Sequence, residues 1–487
     1  MKKSLAPLLF LSAAVLVLAS PPAAAGLLES MPAGSDVYLA FDPGAVGMER
    51  FLEALASSPV VRDGDMEQLR GILGFDPMDW ASWTGALALD PEGEIGLQID
   101  AGEFDVTFVA LYLPSSDPSA VDRFFHDVFD EADGFHGILE LRRSGDHTVV
   151  LIAEDPEGAA AFDPSGPSLG DDPEFEALAG GDTDGNRLGA VYADLSTVTA
   201  GEDLRSVLIT ASTDEERLLL GLSARAVDPD IARLTAMLSP SPGNASFGVP
   251  GGTDGTLRLC VDMAALDSLL GESGITAEYD AEAASLGLMP AGDLLGLFSG
   301  ETLLTLSASG GGYATILQIG LEDPDGAEDL LRFVKTLMDG TGGGSITGFD
   351  LAGTSCYRID APILPWSGTI EYGIFGGTLV LAAGCSLRDP SGSEEYGDWI
   401  ADRGIGLEPD AAALLTATPG VLRWTLGNES ALLRGLSGPA GSLDIVAASL
   451  EAEGDLLSLR ASLVPTDGDP ARLVNRILTV LAGILFR

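Results

Sequence analysis

Along this chain apolar and polar positions recur with two different periods, and each switch of period marks an element. Alternation or a short apolar run reads as a strand at Val37–Phe41, Ala190–Asp194, Thr256–Val261, Ser355–Ile359 and Leu379–Ala383. Helical spacing starts at Asp117-Pro118 and runs through Phe129, and again from Asp323-Pro324 through Met338. An acid followed by proline suits a helix start, because the carboxylate accepts a free amide and proline has no amide to leave unpaired. Asp42, Asp194 and Asp262 end strands, and each reads as an N-cap of the next helix rather than as a catalytic acid. Asp90-Pro91-Glu92-Gly93, Ser144-Gly145-Asp146, Gly310-Gly311-Gly312 and Gly376-Gly377 predict hairpins, hence antiparallel sheet rather than a doubly wound fold.

The second half replays the first. Leu39-Ala40-Phe41-Asp42 matches Leu259-Cys260-Val261-Asp262, and Trp80–Gly85 matches Leu295–Gly300, each leading into a strand-like segment. The Asp-Pro helices correspond, as do Thr148-Val149-Val150-Leu151 and Thr378-Leu379-Val380-Leu381, followed by Asp155-Pro156 and Asp389-Pro390. Ala232-Arg233-Leu234 pairs with Ala471-Arg472-Leu473 near the ends. Five matches in one order predict two diverged tandem units, 26–239 and 240–487, joined at Ser239-Pro240-Ser241-Pro242-Gly243. Each is long enough to bury its own core. The expected class is α+β, each unit a curved antiparallel sheet with helices packed on one face. Capped helices and an aromatic content of 6% argue against a transmembrane barrel with its aromatic girdles.

The first residues add a compartment. Met1-Lys2-Lys3, the apolar run Leu8–Ala19 and then Ser20-Pro21-Pro22-Ala23-Ala24-Ala25 form a signal peptide, residues 1–25, with cleavage expected after Ala25. The apolar run is shorter than the ~20 residues of a membrane span, no cysteine follows it for lipid attachment, and no later stretch is long and apolar enough to cross a bilayer. The expected location is the periplasm or the outside of the cell. Charge changes the list of partners: 74 acidic against 25 basic residues give −49, and loss of Lys2 and Lys3 with the leader takes the mature chain to −51. Such a field repels nucleic acid and anionic headgroups. Since 46% of residues are hydrophobic, the charge belongs to the surface of a folded protein rather than to a disordered one.

Candidate chemistry is thin. With Cys260, Cys356 and Cys385 the count is odd, so at least one thiol stays free; export permits a Cys356–Cys385 bridge, and small buried hydrophobes are the preferred reading. His126, His136 and His147 lie amid Asp127, Asp130, Glu131, Asp133 and Asp146, and His126 with Asp130 at i, i+4 is a conceivable metal pair. Phe124, Phe125, Val128 and Phe129 take the apolar side of that helix, which favours a solvated surface instead. Asp182-Thr183-Asp184-Gly185-Asn186 resembles a calcium loop, yet Arg187 and Ala193 stand where Gly and Glu are needed. No G-K-[ST], H-E-x-x-H or C-x-x-C string occurs, and Arg332 stands where S-x-x-K before Lys335 needs serine. No catalytic, cofactor or metal residue is assigned, and no cofactor is expected. Leu473–Phe486 is apolar at helical spacing and reads as a packed helix, with docking to a partner as the second choice.

Met31-Pro32-Ala33-Gly34-Ser35-Asp36-Val37-Tyr38-Leu39, Gly74-Phe75-Asp76-Pro77 and the Trp-rich segment before Gly85 resemble the large exported bacterial proteins that carry a domain of unknown function. That resemblance implies the cell envelope and supplies no activity. Two functions are expected to compete: a non-catalytic envelope scaffold that binds a protein partner, with the tail from Leu473 as docking element, and a module for an apolar ligand such as a lipid. The second requires a cavity of ~300 Å³ or more. An enzyme with an unrecognised site ranks below both.

Overall fold

A computed structural model describes residues 25–43, 73–101, 106–131, 137–179, 186–196, 204–214, 216–228, 235–239, 247–309, 312–341, 345–360, 369–387, 393–407, 411–422 and 442–470, with short pieces elsewhere. In chain order the strands are β1 (Val37–Phe41), β2 (Ile95–Ala101), β3 (Val106–Leu113), β4 (Ile138–Ser144), β5 (His147–Ala153), β6 (Asn186–Asp194), β7 (Leu204–Thr213) and β8 (Leu218–Ala226). There follow β9 (Gly248–Val249), β10 (Gly255–Cys260), β11 (Phe298–Ser309), β12 (Gly312–Leu321), β13 (Ser345–Leu351) and β14 (Thr354–Asp360). The last are β15 (Thr369–Phe375), β16 (Thr378–Ala383), β17 (Glu394–Glu395), β18 (Ala413–Ala417), β19 (Leu443–Glu453) and β20 (Leu456–Pro465). Helices α1 (Ala25–Ser30), α2 (Trp80–Leu87), α3 (Pro118–Glu131), α4 (Pro156–Ala161) and α5 (Pro173–Ala179) interleave with β1–β8. Later in the chain come α6 (Met263–Glu272), α7 (Ile275–Leu286), α8 (Ala291–Leu295), α9 (Pro324–Thr341) and α10 (Tyr396–Asp402).

The described residues divide into two compact units. One holds the residues up to Asp228 and those from Leu456 onward, and the other holds the chain between them up to Leu422 together with Ile445–Asp455. In the first unit the sheet runs β4-β5-β3-β2-β1-β6-β7-β8-β20, every neighbour antiparallel. In the second it runs β13-β14-β15-β16-β12-β11-β10-β18-β19, again all antiparallel. The sequence reading places residues from Leu456 on in the second copy, whereas β20 is hydrogen-bonded along its length to β8.

Local chemistry accounts for most element ends. Asp117 Oδ1 accepts from Ser119 N–H at 3.0 Å and Asp323 Oδ1 from Gly326 N–H at 2.9 Å, one at each Asp-Pro helix start. Asp262 caps α6 through the amides of Ala264 and Ala265. Residues 44–47, where a helix after Asp42 would begin, lie outside the described residues, and Asp194 closes a turn onto Ser196 N–H at 2.9 Å. Gly145 (φ 55°) turns β4 into β5, and Gly376 and Gly377 (φ 56° and 87°) turn β15 into β16. One expectation fails here. Asp90–Gly93 is a turn whose Gly93 N–H donates to Asp90 C=O, but it leads out of α2 into β2 and joins no paired strands. Trp80–Gly85 is helix and leads on to β2: Asp79 caps it, Trp83 Nε1–H donates to Pro77 C=O at 2.9 Å, and the Trp83 ring packs on Phe75 and Phe124.

In the first unit one sheet face is covered by helices. Leu27 and Leu28 of α1, Met31 just after it, Ala159 of α4, Phe162, and Phe175 and Leu178 of α5 pack with Tyr38, Ala40, Phe108, Ala110, Tyr112, Val149, Leu151, Ala190, Tyr192 and Leu208. Gly96 of β2 lets α1 approach, since a Cβ there would overlap Met31 and Leu27. Gln98 pins the segment before β1: its Nε2 donates to Pro32 C=O (3.1 Å) and Ser35 Oγ (2.8 Å), and its Oε1 accepts from Tyr112 Oη (2.7 Å). The second unit has a similar clamp in Gln318, whose Nε2 donates to Gly248 C=O at 2.7 Å while its Oε1 accepts Gly248 N–H at 3.1 Å.

An aspartate opens β1 in the first unit and β10 in the second, with the same three kinds of contact. Asp36 donates its N–H to Ile99 C=O, accepts Ala101 N–H on Oδ2 at 2.6 Å, and accepts Asp194 N–H on its carbonyl at 2.7 Å. Asp254 donates to Leu306 C=O, accepts Ala308 N–H on Oδ2 at 2.7 Å, and accepts Thr418 N–H on its carbonyl at 2.8 Å.

Candidate functional site

Strand register shows what the other sheet face carries, because cross-strand partners project to the same side. In the first unit one row reads Leu141, Val150, Leu111, Leu97, Leu39, Val191, Ile209, Leu222, Leu459 across nine strands. The next row reads Leu139, Ile152, Val109, Ile99, Val37, Ala193, Val207, Ala224, Leu457. Neither row holds a polar side chain. Several of these residues are half-buried, and Leu459 is 41% exposed.

The second unit repeats the pattern with greater exposure. Its central row is Tyr357, Tyr372, Leu381, Leu317, Leu304, Leu257, Leu415, Ala448, and the next is Ile374, Leu379, Ile319, Thr302, Leu259, Ala413, Leu450. Leu257 (39% exposed), Leu259 (36%) and Leu415 (44%) are neighbours here. On the opposite face the polar residues are buried: Thr256, Arg258, Glu301, Thr305, Gln318 and Thr416. Arg258 Nη2 pairs with Glu301 Oε1 at 3.3 Å, its guanidinium lies 5.5 Å from the Tyr396 ring centre, and the Thr256 and Thr416 hydroxyls are 2.8 Å apart. Burial pushes the Tyr396 hydroxyl up to about 12. In this unit the charged and hydroxylated residues of β10, β11 and β18 are inside and the leucines outside.

A cleft of about 340 Å³ opens at one end of the second sheet, lined by Pro250-Gly251-Gly252, Ser307–Ser309, Ala314, Ile316, Cys385 and Ser386. It is above the ~300 Å³ that a small ligand needs. Its lining mixes hydroxyls with small apolar groups, and it holds no charged side chain.

The residues singled out by motif do not converge on a site. His126 is exposed on α3, its Nδ1 2.9 Å from Asp122 C=O and 3.3 Å from an Asp122 carboxylate oxygen. His147 opens β5 with Nε2 3.0 Å from Glu94 C=O, and burial holds its pKa below the usual histidine value. His136, Asp133, Asp182–Gly185 and the tail beyond Leu473 lie outside the described residues, as do the side chains of Asp130 and Glu131. Among the described residues no three His, Cys, Asp or Glu side chains gather as a metal site. All three cysteines are free thiols, so the Cys356–Cys385 bridge is absent. Instead Cys356 sits in a small core with Phe375, Val380, Ala382 and Leu387, against which Cys385 packs, and burial raises the Cys356 thiol. Among the described residues no helix is long and apolar enough to cross a membrane.

What the fold defines is a class, a mixed helix-and-strand protein built on antiparallel sheet with apolar faces. No family model matches the chain, and no curated protein matches it. Among solved structures, crystal form I of TP0453 is similar at 16% identity and a TM-score of 0.22, covering 46% of this chain and 88% of that one. Crystal form IV of TP0453 is similar at 17% identity and a TM-score of 0.23, covering 48% and 89%.

Proposed function

We propose that this chain is an exported, non-catalytic binding module of the cell envelope that takes an apolar ligand of lipid type on its sheet faces. One observation carries the reading: Leu257, Leu259 and Leu415 stay 36–44% exposed side by side on a sheet face that holds almost no polar group. Around these leucines the surface offers dispersion and dehydration with few hydrogen-bonding groups, which suits an acyl chain better than a polar substrate. The missing catalytic motifs and the signal-peptide pattern fit the same reading. Two diverged copies of one unit are part of it, supported by the matching strand orders and by the equivalent roles of Asp36 and Asp254.

The test is native mass spectrometry of the chain purified gently from its own envelope fraction. The expected result is a reproducible added mass in the range of a lipid, lost on denaturation. A bare monomer that takes up no fluorescent fatty acid counts against the ligand, and a co-purifying protein favours the scaffold reading instead.

A further inference from the structure

Glu94, just before β2, points its carboxylate at the start of α1: Oε2 accepts the Leu27 N–H at 2.7 Å. Its charged surroundings are acidic, with Asp42 from the end of β1 and Glu29 from α1, while His147 of β5 contacts the Glu94 backbone and not its carboxylate. Burial, and then these two carboxylates, push Glu94 up to about 7. Meanwhile α1 is seated firmly, with Leu27, Leu28 and Met31 buried and Met31 N–H donating to Leu27 C=O at 3.1 Å. Among the described residues no cationic side chain is placed against this acid, and the leader pattern puts a positive charge next to it. Cleavage after Ala25 makes Gly26 the first residue, one peptide unit (~3.8 Å of chain) from the amide that Glu94 already binds. Gly26 is exposed, so its nitrogen is open to solvent and to a protonating water.

We infer that the amino terminus released by leader removal is the counter-charge of Glu94, the Gly26 ammonium pairing with its carboxylate and fixing α1 on the first sheet. Hydrolysis puts the hydroxyl of water on the Ala25 carbonyl and hydrogen on the Gly26 nitrogen, which is an ammonium below its pKa of ~8. The inference rests on the export reading but not on the lipid reading, so loss of one leaves the other standing.

Linkage gives the sign. With the leader retained, folding raises the Glu94 pKa from 4.5 to about 7, so the stability tied to its proton is present below 4.5 and is lost as pH rises through 7. With a free Gly26 ammonium, Glu94 stays charged at lower cost across that window. Stability then falls only above pH ~8, as the amine loses its proton.

The experiment compares thermal midpoints from pH 5 to 9 for the mature chain, for a chain retaining Ala23-Ala24-Ala25, and for both carrying Glu94→Gln, alongside amino-terminal sequencing of the native protein. The expected result is a midpoint that drops through pH 7 only in the extended chain, with profiles that coincide once Glu94 is glutamine. Identical profiles for mature and extended chains overturn the inference, as does a native terminus other than Gly26. Should the glutamine variants fail to fold, the Gly26 amine is titrated by NMR after ¹³C-methylation: a pKa raised above ~8 supports the pair, and an unshifted one overturns it.

Discussion

Single residues decide most in the second unit, where Arg258 and Glu301 lie on adjacent strands with side chains 7% and 1% exposed. A buried pair of this kind gains little over well-packed apolar residues, but removing one partner leaves a charge stranded in the core. Glu301→Leu alone is therefore expected to cost about 3–5 kcal/mol, while Arg258→Met with Glu301→Leu returns most of that loss. Urea denaturation of the two variants beside the parent protein checks the order; a double variant as unstable as the single one would contradict it. The sequence hides this pair. Alternation in Thr256-Leu257-Arg258-Leu259-Cys260 tells which side chains share a face but not which face is covered, and here Arg258 is inside while Leu257 and Leu259 face out. The helix caps at Asp117, Asp262 and Asp323 are legible because a cap is a contact within three residues of itself. Trp80–Gly85 is not, because Phe75 and Phe124 stabilise it through contacts that no local pattern records.

At the scale of elements, β1 and β10 can be compared between their flanking aspartates. The segment from Asp36 to Asp42, which holds β1, is shorter than that from Asp254 to Asp262, which holds β10. The difference is two residues, one full strand period, so every side chain keeps its face. A match built on Leu39 and Leu259 fits the far end of the strand and misses the Asp36–Asp254 equivalence at its start. The face this parity preserves is the candidate site, and it makes a prediction at the same scale. Leu257→Ser, Leu259→Ser and Leu415→Ser together are expected to change stability by no more than ~1–2 kcal/mol, since exposed positions lose little burial. Uptake of a fluorescent fatty acid by the same variant should fall several-fold. Unchanged uptake with an intact melting profile would move the site to the cleft beside Cys385 or to the first unit.

At the level of the whole molecule, the first unit is not contiguous in sequence. β20 supplies its last strand, hydrogen-bonded to β8 from Leu456–Arg225 to Leu463–Leu218. Deleting residues 456–487 is expected to uncover the β8 edge and make the remaining chain aggregate, because an unpaired strand edge templates further pairing. Light scattering on the truncated chain checks this; a monodisperse, folded product would show that β20 is dispensable. Sequence periodicity cannot predict such closure, since Leu456–Pro465 alternates equally well beside any antiparallel neighbour.

That closing strand also sets a clock. Leu456 follows Ala226 by 230 residues, so a ribosome adding ~5–20 residues per second emits β8 roughly ten to fifty seconds before its partner exists. For all that time the row from Leu218 to Ala226 is an open edge on a sheet whose outer face is leucine and valine. The protein must reach its last residues with that edge unclaimed, which makes the speed of its synthesis, and any chaperone that shields the nascent strand, part of what determines the yield of folded molecules.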